Sequence, residues 1–199
     1  MSSVLRRWHS AAPLAPHAVE LMGSPTQNDE LRRLLPRLIR QIGHAAFVVV
    51  PVENLDSEAV RLGVEAFHAA GGTARICLAG RHAALEAIDL EVVGSDDVGF
   101  LLDAVGIDTP LSELIWDRIQ AVRFDADFVM RAAKNLRVGC ALESMLALTR
   151  DIGLCTLGAD AMPQGGTLTG RTAFDYLPVS GRLAARLPAT SESAFCMTS

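Results

Sequence analysis

The feature that most constrains the fold of this chain is a repeated alternation of short apolar runs with amphipathic segments. The apolar runs have the length and composition of buried strands, and the segments between them repeat apolar residues at helical spacing. Strands are predicted at residues 46–52, 74–80 and 98–106, at the start of 121–129, and at 154–161. Helices are predicted at 29–43, 57–72, 81–88, 111–119 and 135–153. This order predicts an α/β fold with a mainly parallel sheet, which doubly wound sheets and (β/α)8 barrels satisfy equally well.

The composition is that of a globular protein with a mildly acidic surface. Half of the 199 residues are hydrophobic, the net charge is −5, and Lys134 is the single lysine. The sequence offers no basic stripe for phosphate groups, so we predict no nucleic-acid partner. Its apolar runs fall far short of the ~20 residues of a membrane span, so we predict no membrane association. We expect one domain over residues 1–187 and a disordered, Ser/Thr-rich tail over residues 188–199.

Neither the cysteines nor the histidines have the spacing of a metal site. Cys77, Cys140, Cys155 and Cys196 form no Cys-x-x-Cys pair, and the five histidines are scattered. The sequence also contains no glycine-rich nucleotide loop and no nucleophile elbow. We therefore predict no metal and no cofactor. The absence of a disulfide framework and of a signal peptide predicts a cytoplasmic location.

Two carboxylates at strand ends are candidates for chemistry. Asp103 ends one predicted strand and Asp125 lies just inside another. Barrel enzymes carry their catalytic groups at the C-terminal ends of strands. Aspartate is also common in turns, where it accepts hydrogen bonds from its own backbone, so both readings remain open for these two residues.

The order of these segments resembles the EAL domain family. The stretch VGFLLDAVGIDTPLSELIWDRIQAVRFDADFV, residues 98–129, is similar to the family stretch that contains LDDFG and LKIDRSFV. The opening SVLRRW resembles EALLRW, and FDYLPVSGRLAARL resembles the closing segment of the family. This resemblance extends over about residues 3–187. It implies a shortened and potentially incomplete (β/α)8 barrel of the kind that hydrolyses cyclic di-GMP with two divalent metal ions.

The resemblance also implies that most of the metal ligands of the family are lost. The ligand positions fall on Ser3, Pro51, Ala104, near Leu78 and near Ala159, none of which carries a carboxylate or an amide. A pair of divalent cations needs several hard oxygen ligands. We therefore expect this chain to lack phosphodiesterase activity.

A smaller set of positions retains the residue types that the family uses toward its ligand. These are Leu5 and Arg7 of the opening motif, together with Asp103, Arg123 and Asp125. An arginine fork is well suited to a phosphate, so the resemblance allows a receptor that binds cyclic di-GMP without cleaving it. The apolar residues at the remaining pocket positions argue against such binding, because a dianionic ligand would lose hydrogen-bond partners there.

The resulting prediction is a non-catalytic EAL-like regulator that acts through protein contacts. The alternatives are a non-hydrolysing cyclic di-GMP receptor and, as the third choice, an active phosphodiesterase. The expected contact surfaces are the helix around Trp116 and the Ala/Leu-rich helix of residues 138–153. The helix after LDDFG contributes to dimers in the EAL family, so the resemblance also implies a homodimer through the region of Trp116.

Overall fold

The chain forms a closed barrel of eight strands in a computed structural model that describes residues 4–10, 17–22, 28–42, 45–158 and 174–178. The strands are β1 (Val4–Ser10), β2 (Ala18–Met22), β3 (Phe47–Pro51), β4 (Arg75–Gly80), β5 (Val98–Val105), β6 (Ile119–Phe124), β7 (Cys155–Leu157) and β8 (Tyr176–Pro178). The helices are α1 (Asn28–Ile42), α2 (Ser57–Ala69), α3 (His82–Glu86), α4 (Leu90–Val93), α5 (Leu111–Leu114), α6 (Ala126–Ala132) and α7 (Leu136–Asp151).

Each strand pairs with the next one in sequence, and β8 returns to β1. Strand β1 is antiparallel to both of its neighbours, β2 and β8. Every other pair is parallel. The prediction of an α/β barrel with a mainly parallel sheet is therefore confirmed, and the barrel is complete in its strands. It is shortened in its connections, since α3, α4 and α5 have only four or five residues each.

The structure differs from the prediction between β5 and β7. The helix predicted at 111–119 is a single turn, because the chain must extend again to start β6 at Ile119. The strand predicted from 121 ends at Phe124, where Asp125 accepts a hydrogen bond from the Phe128 amide and begins α6. Elsewhere, the helix predicted at 57–72 is α2, which begins at Ser57 with Asp56 as its N-cap. The expected tail, 188–199, lies outside the described residues.

Alternation along the strands divides the core into two layers. One set of side chains faces the helices, and the other fills the lumen of the barrel. The lumen layer consists of Trp8, Ala18, Phe47, Val49, Cys77, Ala79, Leu101, Ala121 and Leu157. These side chains are mostly small or slender apart from Trp8 and Phe47, and the interior is therefore a packed core rather than a pore.

Thr156 and Asp175 join β7 to β8 and so close the barrel on its shortest strands. The Asp175 carboxylate accepts from both the amide and the hydroxyl of Thr156, at 2.7 and 2.9 Å. The Asp175 amide donates back to the Thr156 hydroxyl at 3.0 Å. These bonds supplement the backbone pairing of two three-residue strands.

None of the helices in the described part of the chain has the length and apolar character that a membrane span requires.

The thiol of Cys77 gives the lumen a measurable pH dependence. Burial, with the nearby Cys155 as a second cause, raises the pKa of Cys77 to about 12. The unfolded chain releases this proton near pH 9, so between pH 9 and 12 the folded state binds more protons and stability falls as the pH rises. From pH 8 to pH 10 we expect the wild type to lose about 1 kcal/mol more than Cys77→Ala in urea unfolding. Equal losses in both proteins would contradict this prediction.

Candidate functional site

One end of the barrel collects charged side chains inside the lumen. The parallel strands end here, and β1 begins here because it runs in the opposite direction. Arg6 of β1 lies directly opposite Glu20 of β2, while Asp103 and Arg123 lie near the ends of β5 and β6. We call these four residues together with Trp8 the mouth cluster. Barrel proteins build their sites at this end, so the mouth cluster is the candidate site.

Arg123 is the centre of the mouth cluster. Its Nε donates to Asp103 Oδ1 at 2.8 Å, and its Nη2 contacts Asp103 Oδ2. Its Nη1 contacts Glu20 Oε1 on the other side. The guanidinium is thus bidentate toward one carboxylate and bonded to a second, which is the strongest arrangement that an arginine makes with carboxylates.

Glu20 is held from three directions. Besides Arg123, it accepts a hydrogen bond from Trp8 Nε1 at 3.2 Å and lies 3.6 Å from the Arg6 guanidinium. The guanidinium carbons of Arg6 and Arg123 each lie 6.0 Å from the centre of the Trp8 ring, at the outer limit of cation–π contact. Only 5% of the Glu20 side chain is exposed, so this carboxylate depends on these partners for the solvation that it has lost.

The charges of the mouth cluster balance. Two carboxylates, Glu20 and Asp103, face two guanidiniums, Arg6 and Arg123. Burial opposes the charge on Arg123, but hydrogen bonding to Asp103 and the charges of Asp103 and Glu20 outweigh it and raise the pKa of Arg123 above its ordinary value. Arg123 is therefore a permanent cation in the lumen.

The carboxylate oxygens of the mouth cluster are not available to bind a pair of divalent cations. Both oxygens of Asp103 and one of Glu20 are already bonded to Arg123, and the other oxygen of Glu20 accepts from Trp8. Over the described ranges, no three His, Cys, Asp or Glu side chains lie close enough together to hold a metal ion. A cation would have to displace a guanidinium that already neutralises the same carboxylates.

Of the five residues singled out from the sequence, the structure joins two in an ion pair and places a third nearby, because Asp103 and Asp125 line one cleft of about 340 Å³. Asp103 and Arg123 meet directly. Asp125 does not join them in a hydrogen bond, because its Oδ1 accepts from the Phe128 amide at 2.9 Å. It lines a neighbouring cleft of about 380 Å³ beyond the end of β5. The turn role considered for these aspartates is therefore observed for Asp125, while Asp103 accepts a hydrogen bond from the Ala104 amide and also forms the ion pair with Arg123.

The other two residues of that set, Leu5 and Arg7, face away from the lumen. Leu5 packs against the outer core layer, and Arg7 is exposed. Alternation along β1 instead directs Arg6 and Trp8 inward, where they contact Glu20. Any role of Leu5 and Arg7 toward a ligand remains a prediction, but these two residues are not part of the mouth cluster.

Sequence reasoning missed Glu20, Trp8 and Arg6. The available signal was the strand AVELM, in which a glutamate takes a lumen position of an otherwise apolar segment. A buried glutamate needs a cation, and the printed sequence does not show which of many arginines is near.

Three of the lost ligand positions are in described residues. Pro51 ends β3 and is half-buried, and Ala104 lies at the end of β5. The expectation that Leu78 lines the site is wrong, because Leu78 is fully buried in the layer between sheet and helices. Its neighbours Cys77 and Ala79 face the lumen instead. Ser3 and Ala159 lie outside the described residues.

Ala104 has a left-handed backbone with φ of 57°. Its amide donates to the Asp103 carboxylate at 2.8 Å, which holds the chain in this conformation. A side chain with a Cβ is unfavourable here, so we expect Ala104→Gly to stabilise the protein by about 0.5–1 kcal/mol in urea unfolding. The matched change Ala87→Gly, at a right-handed position, is expected to destabilise. Destabilisation by both changes would argue against the left-handed conformation.

Sequence comparisons do not assign the chain to a family. No family model matches it, and no curated protein matches it by sequence.

Comparison of the structure gives clear matches. The EAL domain of Mycobacterium smegmatis DcpA is 15% identical with a TM-score of 0.66, and 88% of each chain is covered. The FimX EAL domain from Pseudomonas aeruginosa bound to c-di-GMP is 12% identical with a TM-score of 0.65, covering 87% of this chain and 86% of that one. A complex of the PaMucR phosphodiesterase with c-di-GMP is 15% identical with a TM-score of 0.59, again covering 88% of each chain. At these identities the likeness concerns architecture, and the chain has the fold of an EAL domain.

Proposed function

We propose that this protein is a non-catalytic regulator with an EAL fold that acts in cyclic di-GMP signalling through contacts with another protein. Structures of EAL domains in complex with c-di-GMP are among those it resembles, which supports the signalling context. The observation that carries the proposal is the bonding of Arg123 to both Glu20 and Asp103.

Because Arg123 is bonded to both carboxylates, they are not available for the roles that a metal-dependent phosphodiesterase would give them. Such an enzyme uses carboxylates to hold cations, and the cations acidify the attacking water and neutralise the phosphate. Here the Arg123 guanidinium neutralises the carboxylates. A guanidinium does not act as a Lewis acid toward water, and it does not transfer its proton near neutral pH. The lumen therefore has the electrostatics of a core ion pair rather than of a hydrolytic site.

Both predicted protein-contact surfaces also contribute side chains to packing within the chain. Trp116 is half-buried, with its ring 5.1 Å from that of His82 and 5.2 Å from that of Phe100. Helix α7 buries Leu142, Leu146 and Thr149. The homodimer through the region of Trp116 stays a prediction, and exposed neighbours of Trp116 rather than its own ring would have to form it.

Calorimetric titration with cyclic di-GMP, with and without Mn²⁺, tests this proposal. The positive control is the PaMucR phosphodiesterase, and formation of linear dinucleotide is followed by chromatography. We expect no heat of binding and no product. Binding without product would favour the alternative, a receptor that does not hydrolyse its ligand. Product formation that depends on Mn²⁺ would overturn the proposal.

A further inference from the structure

An exposed apolar surface surrounds the one-turn helix α5. Ile107, Leu111 and Ile115 are 53%, 54% and 62% exposed, and we call these three residues the α5 surface. The Ile115 amide donates to the Leu111 carbonyl at 3.1 Å, so these two side chains lie one turn apart on the same side of the chain. Three large aliphatic side chains exposed within nine residues are unusual for a surface without a partner.

The α5 surface continues into the cleft of about 380 Å³ beyond β5, because Ile107 is part of both. Phe128, which is buried, and Pro110, which is exposed, provide apolar walls for this cleft. Its charged lining consists of Asp108, Glu113, Asp125, Asp127 and Arg131. Four acids against one base give the cleft a strong negative character next to the apolar surface.

This charge pattern discriminates among occupants. A second copy related by a twofold axis would bring the same acidic groups against one another, which is unfavourable, so the charge pattern argues against the homodimer that the resemblance implies for this region. Nucleic acid and anionic lipid would also be repelled. A segment with large apolar side chains flanked by lysine or arginine would satisfy both features of the surface, in the manner of an amphipathic helix in a groove.

We propose that the α5 surface and its acidic cleft bind a cationic amphipathic segment of another protein. Its apolar side chains would cover Leu111 and Ile115, and its basic side chains would pair with Asp108 and Asp127, both of which are exposed. This inference rests on the proposed function, since it identifies the class of partner for a regulator that works by protein contact. It requires no ligand in the lumen.

Fluorescence anisotropy with two labelled synthetic helical peptides tests the inference. One peptide contains leucine and lysine, and the other has glutamate in place of every lysine. We expect the wild type to bind the leucine–lysine peptide and not the leucine–glutamate peptide. The double change Leu111→Ser/Ile115→Ser should weaken binding at least about tenfold. The double change Asp108→Asn/Asp127→Asn should also weaken binding and reduce its dependence on salt.

Ile152→Ser is the matched control, because Ile152 is 40% exposed and lies three residues before the start of β7, at the opposite end of the barrel. It should bind the leucine–lysine peptide as the wild type does. Equal binding of both peptides, or unchanged binding in both double variants, would overturn the inference. So would a wild-type dimer in analytical ultracentrifugation that Leu111→Ser/Ile115→Ser dissociates. The proposed function is overturned by turnover of cyclic di-GMP, which none of these peptide-binding results implies. A failure of this inference is therefore distinguishable from a failure of the proposed function.

Discussion

Replacing Arg123 with methionine is expected to lower the free energy of unfolding by about 3–5 kcal/mol. Methionine keeps the apolar stem, so the loss comes from the two carboxylates that remain without their shared cation. The cost is largest at Glu20, because only 5% of its side chain is exposed and water cannot hydrate the carboxylate in place of the lost cation. Urea unfolding followed by circular dichroism measures the change.

Arg61→Met is the matched control for that variant. Arg61 also bonds two carboxylates, Glu58 and Glu65, but this set lies on the exposed face of α2. Solvent screens the charges there, so the loss should be far smaller than for Arg123→Met. The free energy of unfolding of Arg123→Lys should lie between those of the wild type and Arg123→Met, since lysine keeps the charge and loses the bidentate geometry of the guanidinium. Similar losses for Arg61→Met and Arg123→Met would show that the mouth cluster is not a buried network.

The change Glu20→Ala is expected to cost about 3 kcal/mol or more in the same measurement. It leaves the Trp8 indole without its acceptor and removes one of the two carboxylates that neutralise Arg123 and Arg6. Glu20→Gln keeps an oxygen for Trp8 and Arg123 while it removes the charge, so it should cost less than Glu20→Ala. A loss below about 1 kcal/mol for Glu20→Ala would contradict the role assigned to this residue.

Local patterns predicted the repeating part of the fold well. The runs that form β3, β4 and β5 are continuous in their apolar character, and the α2 and α7 regions have clear helical periodicity. Strand β2 lacked such a signal, because five residues interrupted by a glutamate do not stand out. Helix α6 was missed because AVRFDADFV indicated a strand at its start and gave no clear helical period after it. The break depends on one capping bond, which the Phe128 amide donates to Asp125.

The candidate site could be predicted only in part, because its geometry is set by barrel closure. The resemblance placed Asp103 and Arg123 in one candidate set, and their ion pair follows from the adjacent strands β5 and β6, which the sequence alone does not specify. Glu20 meets Arg123 across 103 positions of sequence, which no local pattern encodes. The choice between Arg6 and Arg7 depends on which face of β1 turns inward. The pairing of β1 with β2 fixes this choice, and two consecutive arginines in the sequence do not indicate it.

Titration of the wild type with Mn²⁺, followed by electron paramagnetic resonance, tests the central claim most directly. Because Arg123 already neutralises Asp103 and Glu20, we expect the signal of free Mn²⁺ to rise in proportion to the added metal. The protein concentration should be about 100 times the Kd of a tight site, which is about 0.1 mM for a micromolar site. Loss of the free signal for two Mn²⁺ ions per chain, reversed by Asp103→Asn, would contradict the account. Such a result would mean that the guanidinium yields to cations and that the lumen is a metal site.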